Sequence, residues 1–320
     1  MAGNRQFRIV VAESFNPDTI ARLRECADVT LLDTAAPDTI IAALPDADAL
    51  LVRPRAHVTA RVINAAPKLK VIGRAGPSVD HIDLRAARRR DISVVYTPEV
   101  AVSSTAEFAL ALILALHRRL LYFNRFIRQG QFENLRAPAG HELAHQTVGL
   151  LGLGPVAERL GAICKQAFGC RVIYHDPAGG APVDFRAESM ELEDFLRSVD
   201  ILSIHLRLTP QTRGLVSAAR LALLKPTAML VNTSRGAVID TTALAKALRA
   251  NQVAAAALDV FEVEPLPSDH PLRKAPNCIL TPHVAGATLD AATARDAVAE
   301  DIIRVLQGHP PHFPAQMPSV

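Results

Sequence analysis

The stretch Thr147-Val148-Gly149-Leu150-Leu151-Gly152-Leu153-Gly154-Pro155-Val156-Ala157 decides the fold of this chain. Residues 147–153 have the apolar, β-branched character of a buried strand, and a helical pattern follows the glycines. Gly152 permits a tight turn, Gly154 lets the backbone approach a pyrophosphate, and the small Ala157 lets the helix pack closely on the strand. The order of strand, glycine turn and helix therefore predicts a dinucleotide-binding βαβ unit.

A carboxylate follows at the spacing that this unit requires. Asp176 closes the next predicted strand, 171–176, about 20 residues beyond the turn, where it can accept both hydroxyls of the adenosine ribose and repel a 2′-phosphate. Pro155 and Val156 open the helix whose N-terminus would face the phosphates. Glycine turns between strand and helix are common, so the spacing to Asp176 carries the prediction. It favours NAD over NADP as the cofactor.

Short runs rich in β-branched residues alternate with helix-like stretches along the whole chain, which is typical of parallel βαβ units. The first series of predicted strands is 7–13, 29–33, 49–53, 69–74 and 93–96. The second is 147–153, 171–176, 200–206, 228–233, 254–260 and 278–281. We expect an α/β protein with two doubly wound parallel sheets. A Rossmann coenzyme domain would cover 101–289, and a discontinuous, flavodoxin-like substrate domain would cover 1–100 and 290–320.

Two helical segments connect these predicted domains. Residues 103–128 are rich in Leu and Ala and carry basic residues late, where the helix dipole favours them, so we expect one long helix that opens the coenzyme domain. Residues 287–307 also have a helical pattern, which ends at Gly308. We expect this second segment to return to the substrate domain.

The composition excludes several classes of partner. Of the 320 residues, 49% are hydrophobic and 21% charged, which is the balance of a globular protein with a core. The net charge is only +3, and the basic cluster 88–90 is short and followed by Asp91, so we interpret it as a solvated helix end. The apolar run 108–116 falls short of the ~18 residues that span a bilayer. The sequence thus predicts neither a nucleic-acid nor a membrane partner.

The cysteines and one histidine motif bear on compartment and metal. The four cysteines have no CxxC or metal-like spacing, and the N-terminus carries no secretory signal, which indicates a reducing, cytoplasmic compartment. They are Cys26, Cys164, Cys170 and Cys278. Residues 141–145 match HExxH, but a short loop and a strand flank them and leave too little room for the helix that aligns two zinc ligands. We predict no metal site.

Three further segments, 231–236, 257–265 and 281–286, follow or close strands of the predicted coenzyme domain, at the edge of the sheet where ligands bind. With the glycine turn and Asp176, they resemble the signature motifs of the D-isomer-specific 2-hydroxyacid dehydrogenase family, in the same order and spacing. The similarity covers nearly the whole chain. It is closest to the phosphoglycerate dehydrogenase branch, without that branch's C-terminal regulatory domain.

The resemblance implies an NAD-binding oxidoreductase that moves a hydride between nicotinamide and C2 of a small D-2-hydroxy acid or 2-keto acid. The substrate would belong to the 3-phosphoglycerate, hydroxypyruvate or glyoxylate class. The family also implies a homodimer that associates through the nucleotide domain. An alternative of another class is an NAD-sensing binding protein or corepressor, because some relatives with this fold have that role.

The chemistry of the reaction assigns roles to the matched residues. Reduction of a keto acid needs a cation that holds the carboxylate and polarises the carbonyl, which suits the planar fork of Arg235. It also needs a proton donor near neutral pH, for which His283 is the candidate. Glu264 would hydrogen-bond that imidazole, favour its protonated form and orient it. The resemblance further assigns Thr233 and Asp259 to the cofactor, with Asp259 at the nicotinamide end.

The predicted substrate domain contributes basic and backbone groups. The loop Arg74-Ala75-Gly76 matches the family segment whose amides hold the substrate carboxylate, but Ser78 and His81 depart from the family pattern RAGxGVDNID. Arg53 and Arg55 flank Pro54 at the end of a predicted strand, where alternation places them on one face. If they face the substrate, the distal end of the acid should be anionic; the alternative is that both point to solvent.

Overall fold

The computed structural model describes residues 7–53, 55–132, 140–180 and 185–316. The chain divides into two compact units, Met1–Ala101 with Ala287–Val320 and Val102–Gly286. The boundaries predicted from the sequence were residues 100 and 290, so the first unit takes one more residue at its first junction and three more at its second.

The first unit begins with five strands that alternate with four helices, and all strand pairs are parallel. These elements are β1 (Phe7–Ala12), α1 (Pro17–Arg24), β2 (Ala27–Leu32), α2 (Pro37–Ala43), β3 (Ala49–Val52), α3 (Ala60–Asn64), β4 (Val71–Arg74), α4 (Leu84–Arg88) and β5 (Ser93–Tyr96). The strand order is β2-β1-β3-β4-β5. Every residue of β3 and β4 is buried, as expected for central strands covered on both faces.

The second unit contains a parallel sheet of seven strands in the order β12-β11-β10-β9-β6-β7-β8. Its elements are α5 (Val102–His117), α6 (Leu120–Arg128), β6 (Thr147–Leu151), α7 (Pro155–Phe168), β7 (Arg171–His175), β8 (Glu188–Ser189), α8 (Leu192–Ser198), β9 (Ile201–Ile204), α9 (Ala218–Leu221), β10 (Met229–Asn232), α10 (Thr241–Arg249), β11 (Ala255–Leu258) and β12 (Cys278–Leu280). This order is that of the Rossmann fold with one added strand, and it confirms the predicted fold class. The two-residue strand β8 was not predicted.

The chain then returns to the first unit through α11 (Leu289–Arg295) and α12 (Val298–Leu306). Helix α12 packs on β3, β4 and β5. A Cβ atom at Gly73 of β4 would lie 2.5 Å from Cδ1 of Ile302, so only glycine allows α12 to approach this closely. The helical pattern over 287–307 corresponds to two helices, because the chain turns at Asp296 and buries that side chain within the unit.

A C-terminal segment covers the free edge of β5. The amide of Tyr96 donates to the carbonyl of Phe313 at 3.2 Å, and the amide of Ala315 donates to the carbonyl of Val94 at 2.7 Å. The buried carboxylate of Asp301 fixes this segment by accepting from the amides of His312 and Phe313 at 2.7 and 2.8 Å. The edge of the parallel sheet is thereby closed to further strand pairing.

The predicted single helix over 103–128 is also two helices. Arg119 has a φ of 50°, in the left-handed region, and separates α5 from α6. Helix α5 packs against α7 and against strands β10 and β11 of the sheet, whereas α6 buries none of its residues. The buried surface on which α5 packs does not extend to α6, so no packing contact keeps α6 in the direction of α5.

The buried histidine that ends α5 forms a hydrogen bond with a residue that precedes β6. His117 donates from Nε2 to the carbonyl of His141 at 2.6 Å, and burial lowers the pKa of His117, which keeps the imidazole neutral. Residues Leu143–His145 of the HExxH match form one 3-10 turn. Within the described ranges, no three His, Cys, Asp or Glu side chains gather as a metal site would require, and no helix is long and apolar enough to cross a membrane.

Candidate active site

The glycine turn joins β6 to α7 as the sequence predicts. Gly152 has a φ of 90°, and a Cβ atom there would lie 2.9 Å from Cδ2 of Leu206, so both conformation and space require glycine. Gly154 is the N-cap of α7, and nothing lies within 4 Å of the position that its Cβ atom would take. The first turn of α7, which begins with Pro155 and Val156, therefore has open space in front of its N-terminus.

Close packing of α7 on the sheet depends on a glycine that sequence reasoning missed. Ala157 is fully buried, as predicted, but a Cβ atom at Gly161 would collide with the ring of Phe185 and lie 2.9 Å from Leu150. Gly161 lies four residues after Ala157 and therefore on the same face of the helix, and this spacing is the sequence pattern that could have indicated its role.

Asp176 lies directly after β7, beside the glycine turn. Its Oδ2 accepts from the amide of Leu153 at 2.9 Å and its Oδ1 accepts from the amide of Ala178 at 2.8 Å. The carboxylate thus fixes the turn and its own loop, and the side chain remains partly exposed. Its proposed contact with the ribose is compatible with this position and stays a prediction.

His205 lies behind the glycine turn, one residue beyond β9. Its amide donates to the carbonyl of Leu151 at 2.8 Å, and its Nε2 lies 2.8 Å from Oγ of Ser203. Burial lowers the pKa of His205 to about 4, so the imidazole is neutral in the folded protein near pH 7.

We expect this histidine to make the protein less stable in mild acid. Between pH 6.5 and 4 the unfolded chain binds a proton at His205 that the folded chain does not bind, so the free energy of unfolding falls as the pH falls, by up to about 1.4 kcal/mol per pH unit. Urea unfolding from pH 7 to 4 measures this, and His205→Gln should flatten the dependence. His145→Gln, at an exposed histidine, is the control; equal slopes for wild type and His205→Gln would contradict the prediction.

The turn that presents Arg235 is fixed by a buried asparagine. Oδ1 of Asn232 accepts from the amide and the hydroxyl of Ser234 at 2.9 and 2.8 Å, and its Nδ2 donates to the carbonyl of Arg235 at 3.0 Å. Nη1 of Arg235 donates to the carbonyl of Ser234 at 2.8 Å, and the side chain is partly exposed. Sequence reasoning missed Asn232, although an amide that closes an apolar strand is a recognisable signal.

A second glycine seats this turn against the segment that carries Glu264. A Cβ atom at Gly236 would collide with the backbone of Phe261, so the backbones of the two segments are in direct contact here. The amide of Phe261 in turn donates to Oε1 of Glu264 at 2.9 Å. The position of the predicted carboxylate is therefore coupled to the Arg235 turn.

Glu264 and His283 form the predicted pair. Nδ1 of His283 donates to Oε2 of Glu264 at 2.8 Å, with the His283 and Glu264 side chains 54% and 37% exposed. The φ of His283 is 56°, which is costly for a residue with a side chain and is typical of functional sites. The carboxylate fixes Nδ1 as the protonated nitrogen and leaves Nε2 to act on a ligand.

Asp259 holds the loop that contains His283. It is completely buried, its carbonyl accepts from the amide of His283 at 2.8 Å, and its Oδ1 accepts from the hydroxyl of Thr281 at 2.6 Å. The amides of Val284 and Ala285 donate to the same carboxylate at 3.0 and 2.8 Å. Asp259 thus positions the histidine, and its contact with nicotinamide stays a prediction.

The buried hydroxyl of Thr233 fits a bound cofactor. Its Oγ1 is inaccessible and has no hydrogen-bond partner in the structure, which is rare for a buried polar atom. Thr233 directly follows β10, at the same edge of the sheet as the glycine turn and Asp259. This orphaned donor, the open N-terminus of α7 and the carboxylate of Asp176 together suit a dinucleotide.

The predicted substrate residues of the first unit are largely engaged within it. The amide of Ala75 donates to the carbonyl of Val52 and that of Gly76 to the carbonyl of Arg74, both at 2.9 Å. The amides of Ala75 and Gly76 are thus bonded within the unit in this structure, and their contact with a substrate stays a prediction. Arg74 itself is buried at the end of β4.

Arg53 pairs with a carboxylate of its own unit, and its contact with the substrate stays a prediction. Its Nη2 pairs with Oδ1 of Asp296 at 3.0 Å, and its Nε donates to the carbonyl of Ser14 at 3.1 Å. The side chain is 21% exposed, so it is neither free in solvent nor a cation without a counter-ion. The partner is 243 residues away in the sequence and could not be predicted from it.

Comparisons with known proteins identify the family to which the chain is similar. A family model described as "D-isomer specific 2-hydroxyacid dehydrogenase, NAD binding domain" matches residues 110–285. The chain is 40% identical over 316 residues to a glyoxylate reductase of Aeropyrum pernix, which covers 95% of this chain and 94% of the relative. It is 38% identical over 306 residues to a D-3-phosphoglycerate dehydrogenase of Mycobacterium tuberculosis, but this covers only 57% of the relative.

Solved structures extend the likeness to three dimensions. The TT0316 protein of Thermus thermophilus superposes with a TM-score of 0.88 at 34% identity, over 97% of this chain and 100% of that one. The NADPH-dependent glyoxylate/hydroxypyruvate reductase of Sinorhizobium meliloti, solved with NADP and malonate, gives 0.85 at 29% identity, over 98% and 97%.

The fold, the nucleotide turn and these comparisons define a nicotinamide-dependent oxidoreductase that transfers a hydride on small 2-hydroxy acids. The chain belongs to the D-isomer specific 2-hydroxyacid dehydrogenase family, as its motifs predicted.

Proposed function

We propose that this protein reduces glyoxylate and hydroxypyruvate to the corresponding 2-hydroxy acids with NADH. The observation that carries the proposal is the hydrogen bond of 2.8 Å between Nδ1 of His283 and Oε2 of Glu264, which makes the imidazole a positioned proton donor. The names of the Aeropyrum and Sinorhizobium relatives support these two acids as substrates.

Each residue of the set has one task in this reaction. The bound nicotinamide supplies the hydride that goes to C2 of the keto acid. Arg235 holds the substrate carboxylate and polarises the carbonyl, which its planar guanidinium can do with two donors. His283 gives a proton to the carbonyl oxygen as negative charge develops there, and Glu264 stabilises the imidazolium from which that proton comes.

An arginine of the first unit bears on whether the substrate is a small keto acid or a phosphorylated one. A phosphoglycerate-type substrate carries a second anionic group, and Arg53 was the predicted cation for it. Because Arg53 is paired with Asp296, the small acids whose carboxylate is their single anionic group are the better supported class.

A panel of keto acids tests the proposal. Purified protein with NADH is given glyoxylate, hydroxypyruvate, pyruvate and phosphohydroxypyruvate, and oxidation is followed at the absorbance of NADH. We expect turnover with the first two at the highest kcat/KM. No turnover with any acid, in either direction, would overturn the proposal.

The cofactor preference gives a separate prediction at Asp176. We expect wild-type protein to favour NADH, and Asp176→Asn to raise kcat/KM with NADPH relative to NADH by roughly 10- to 100-fold, because the asparagine removes a negative charge facing the 2′-phosphate. The amide oxygen of Asn can accept from only one of the two amides, of Leu153 or Ala178, that the carboxylate binds, so circular dichroism and thermal unfolding must verify that the variant is folded. Asp200→Asn, at a partly buried carboxylate elsewhere in this unit, is the control. A wild-type preference for NADPH, as in the Sinorhizobium relative, would contradict the assignment.

We also propose a homodimer that associates through α6. This helix exposes Leu120, Leu121 and Ile127, and a second copy would bury these apolar side chains. The family resemblance supports association through the nucleotide unit, to which α6 belongs.

Light scattering coupled to gel filtration measures the oligomeric state. We expect the wild-type protein to have the mass of two chains and Leu121→Glu to shift it to the mass of one, because a charge would be buried in the contact. Leu289→Glu, at an exposed leucine of α11, should leave the mass unaltered. A monomeric wild type would contradict this part of the proposal.

A cytoplasmic location is part of the proposal as well. The four cysteines are free thiols in the structure, and such thiols persist in a reducing compartment.

A further inference from the structure

The strand order of the first unit marks a ligand-binding position. In the order β2-β1-β3-β4-β5, the direction of strand addition reverses between β1 and β3. In open parallel sheets, ligands bind outside the carboxyl ends of the strands at such a switch point. Ser14 and Phe15 follow β1 and Arg53 follows β3, so these residues lie at the switch point.

Arg53 bridges the two strand ends. Its Nε donates to the carbonyl of Ser14 at 3.1 Å, and its guanidinium carbon lies 4.1 Å from the ring centre of Phe15. This stacking and hydrogen bond fix the guanidinium plane at the position where a ligand anion would bind.

A carboxylate of the protein already occupies that position. Oδ1 of Asp296 lies 3.0 Å from Nη2 of Arg53, and the Asp296 side chain is only 5% exposed. Its Oδ2 accepts from the amide of Asn16 at 2.8 Å and from the hydroxyl of Thr19 at 3.3 Å. Asp296 is thus held by groups other than the arginine and cannot move aside freely.

A second arginine lies near the same carboxylate. The pKa of Arg295 is lowered by burial and by the charge of Arg53, whereas Asp296 opposes this shift. The guanidiniums of Arg53 and Arg295 are therefore close enough to interact, and the charge of Asp296 offsets both. Without its charge, this end of the sheet would attract an anion strongly.

We propose that Asp296 is an internal counter-anion that takes the place of a substrate's second anionic group at Arg53 and so restricts the enzyme to 2-keto acids whose carboxylate is their single anionic group. The inference rests on the proposed function and names the substrate class of that site. A dianionic acid would have to displace Asp296 from Arg53 and leave a buried carboxylate without its partner, which is strongly unfavourable. An acid without the second anion makes no such demand.

The variant Asp296→Asn tests the role of the charge. Its amide oxygen can still accept from Asn16 and Thr19, but it no longer neutralises Arg53. We measure kcat and KM for hydroxypyruvate and for phosphohydroxypyruvate, which differ by a phosphate. We expect the ratio of kcat/KM for the phosphorylated acid to that for hydroxypyruvate to rise about tenfold or more, the size of a hydrogen bond to a charged group. The change should lie mainly in KM, because the new contact is made equally in ground and transition states.

Two further variants separate this effect from general changes of charge. Glu300→Gln removes a carboxylate of α12 that pairs with Arg22, so it should not raise the ratio. Asp296→Asn combined with Arg53→Gln should lose the gain, because the released cation is no longer present. Circular dichroism and thermal unfolding verify that each variant is folded.

The wild-type protein provides a test that needs no variant. We expect it to reduce hydroxypyruvate with higher kcat/KM than phosphohydroxypyruvate. The reverse preference would overturn the inference, as would an unaltered ratio in folded Asp296→Asn that still reduces hydroxypyruvate. Absence of turnover with every keto acid would instead overturn the proposed function, and this inference with it.

Discussion

We expect His283→Ala to lower kcat for keto-acid reduction by about 10²- to 10⁴-fold, the usual contribution of a positioned general acid. The alanine variant has no group at this position that can protonate the carbonyl oxygen, so water must supply the proton. The Kd for NADH should change little, because the glycine turn and Asp176 lie on other loops. Stopped-flow or steady-state assays give kcat, and titration of NADH fluorescence or calorimetry gives the Kd.

The chain offers a matched control for this experiment. His145 lies 3.9 Å from Glu142 on the surface of the same unit, so His145→Ala also breaks a histidine–carboxylate pair. It should have near-wild-type kcat. If His283→Ala turned over as fast as wild type, or if His145→Ala fell equally, His283 would not be the proton donor.

Arg235→Gln should lower kcat by about 10²- to 10³-fold, the loss found when one preorganised donor to a developing oxyanion is removed. KM for the keto acid should rise as well, because the same side chain holds the carboxylate. Arg235→Lys should recover only part of the loss, since the ammonium keeps the charge but not the planar fork.

A nearby arginine controls for charge. Arg213 pairs with Glu262 at 3.2 Å on the surface, so Arg213→Gln removes the same charge from the same unit. It should leave kcat and KM near wild-type values. Full activity of Arg235→Lys would show that charge alone suffices and would contradict the role of the bidentate fork.

The sequence could reveal the catalytic set because each member lies in a short local motif. Arg235, Glu264 and His283 each follow or close a strand, and carboxyl ends of parallel strands share one edge of a sheet. The residues that hold these three side chains in position could not be predicted as readily. Gly236 matters because of the backbone of Phe261, and Asp259 because of amides in another loop. Such roles depend on contacts between segments, which the spacing of one segment does not contain.

The ends of the helices were also only partly predictable from the sequence. Hydrophobic periodicity places α5 and α12 correctly, because their apolar faces pack on the sheets. It did not predict the breaks at Arg119 and Asp296, where the chain changes direction for reasons of packing. Arg53 is the clearest case: alternation along β3 gives its face, but only the fold brings Asp296 to it.

The discontinuity of the first unit also determines the order in which the protein can be assembled on the ribosome. Strands β1 to β5 emerge first, but β4 lacks the cover of Val298 and Ile302 until α12 has been synthesised. The second unit is contiguous, Val102–Gly286, and can complete its core before that point. The early sheet must therefore wait, with apolar surface uncovered, for about 10 to 40 s at the usual 5 to 20 residues per second. The half that begins the chain is the last to be finished.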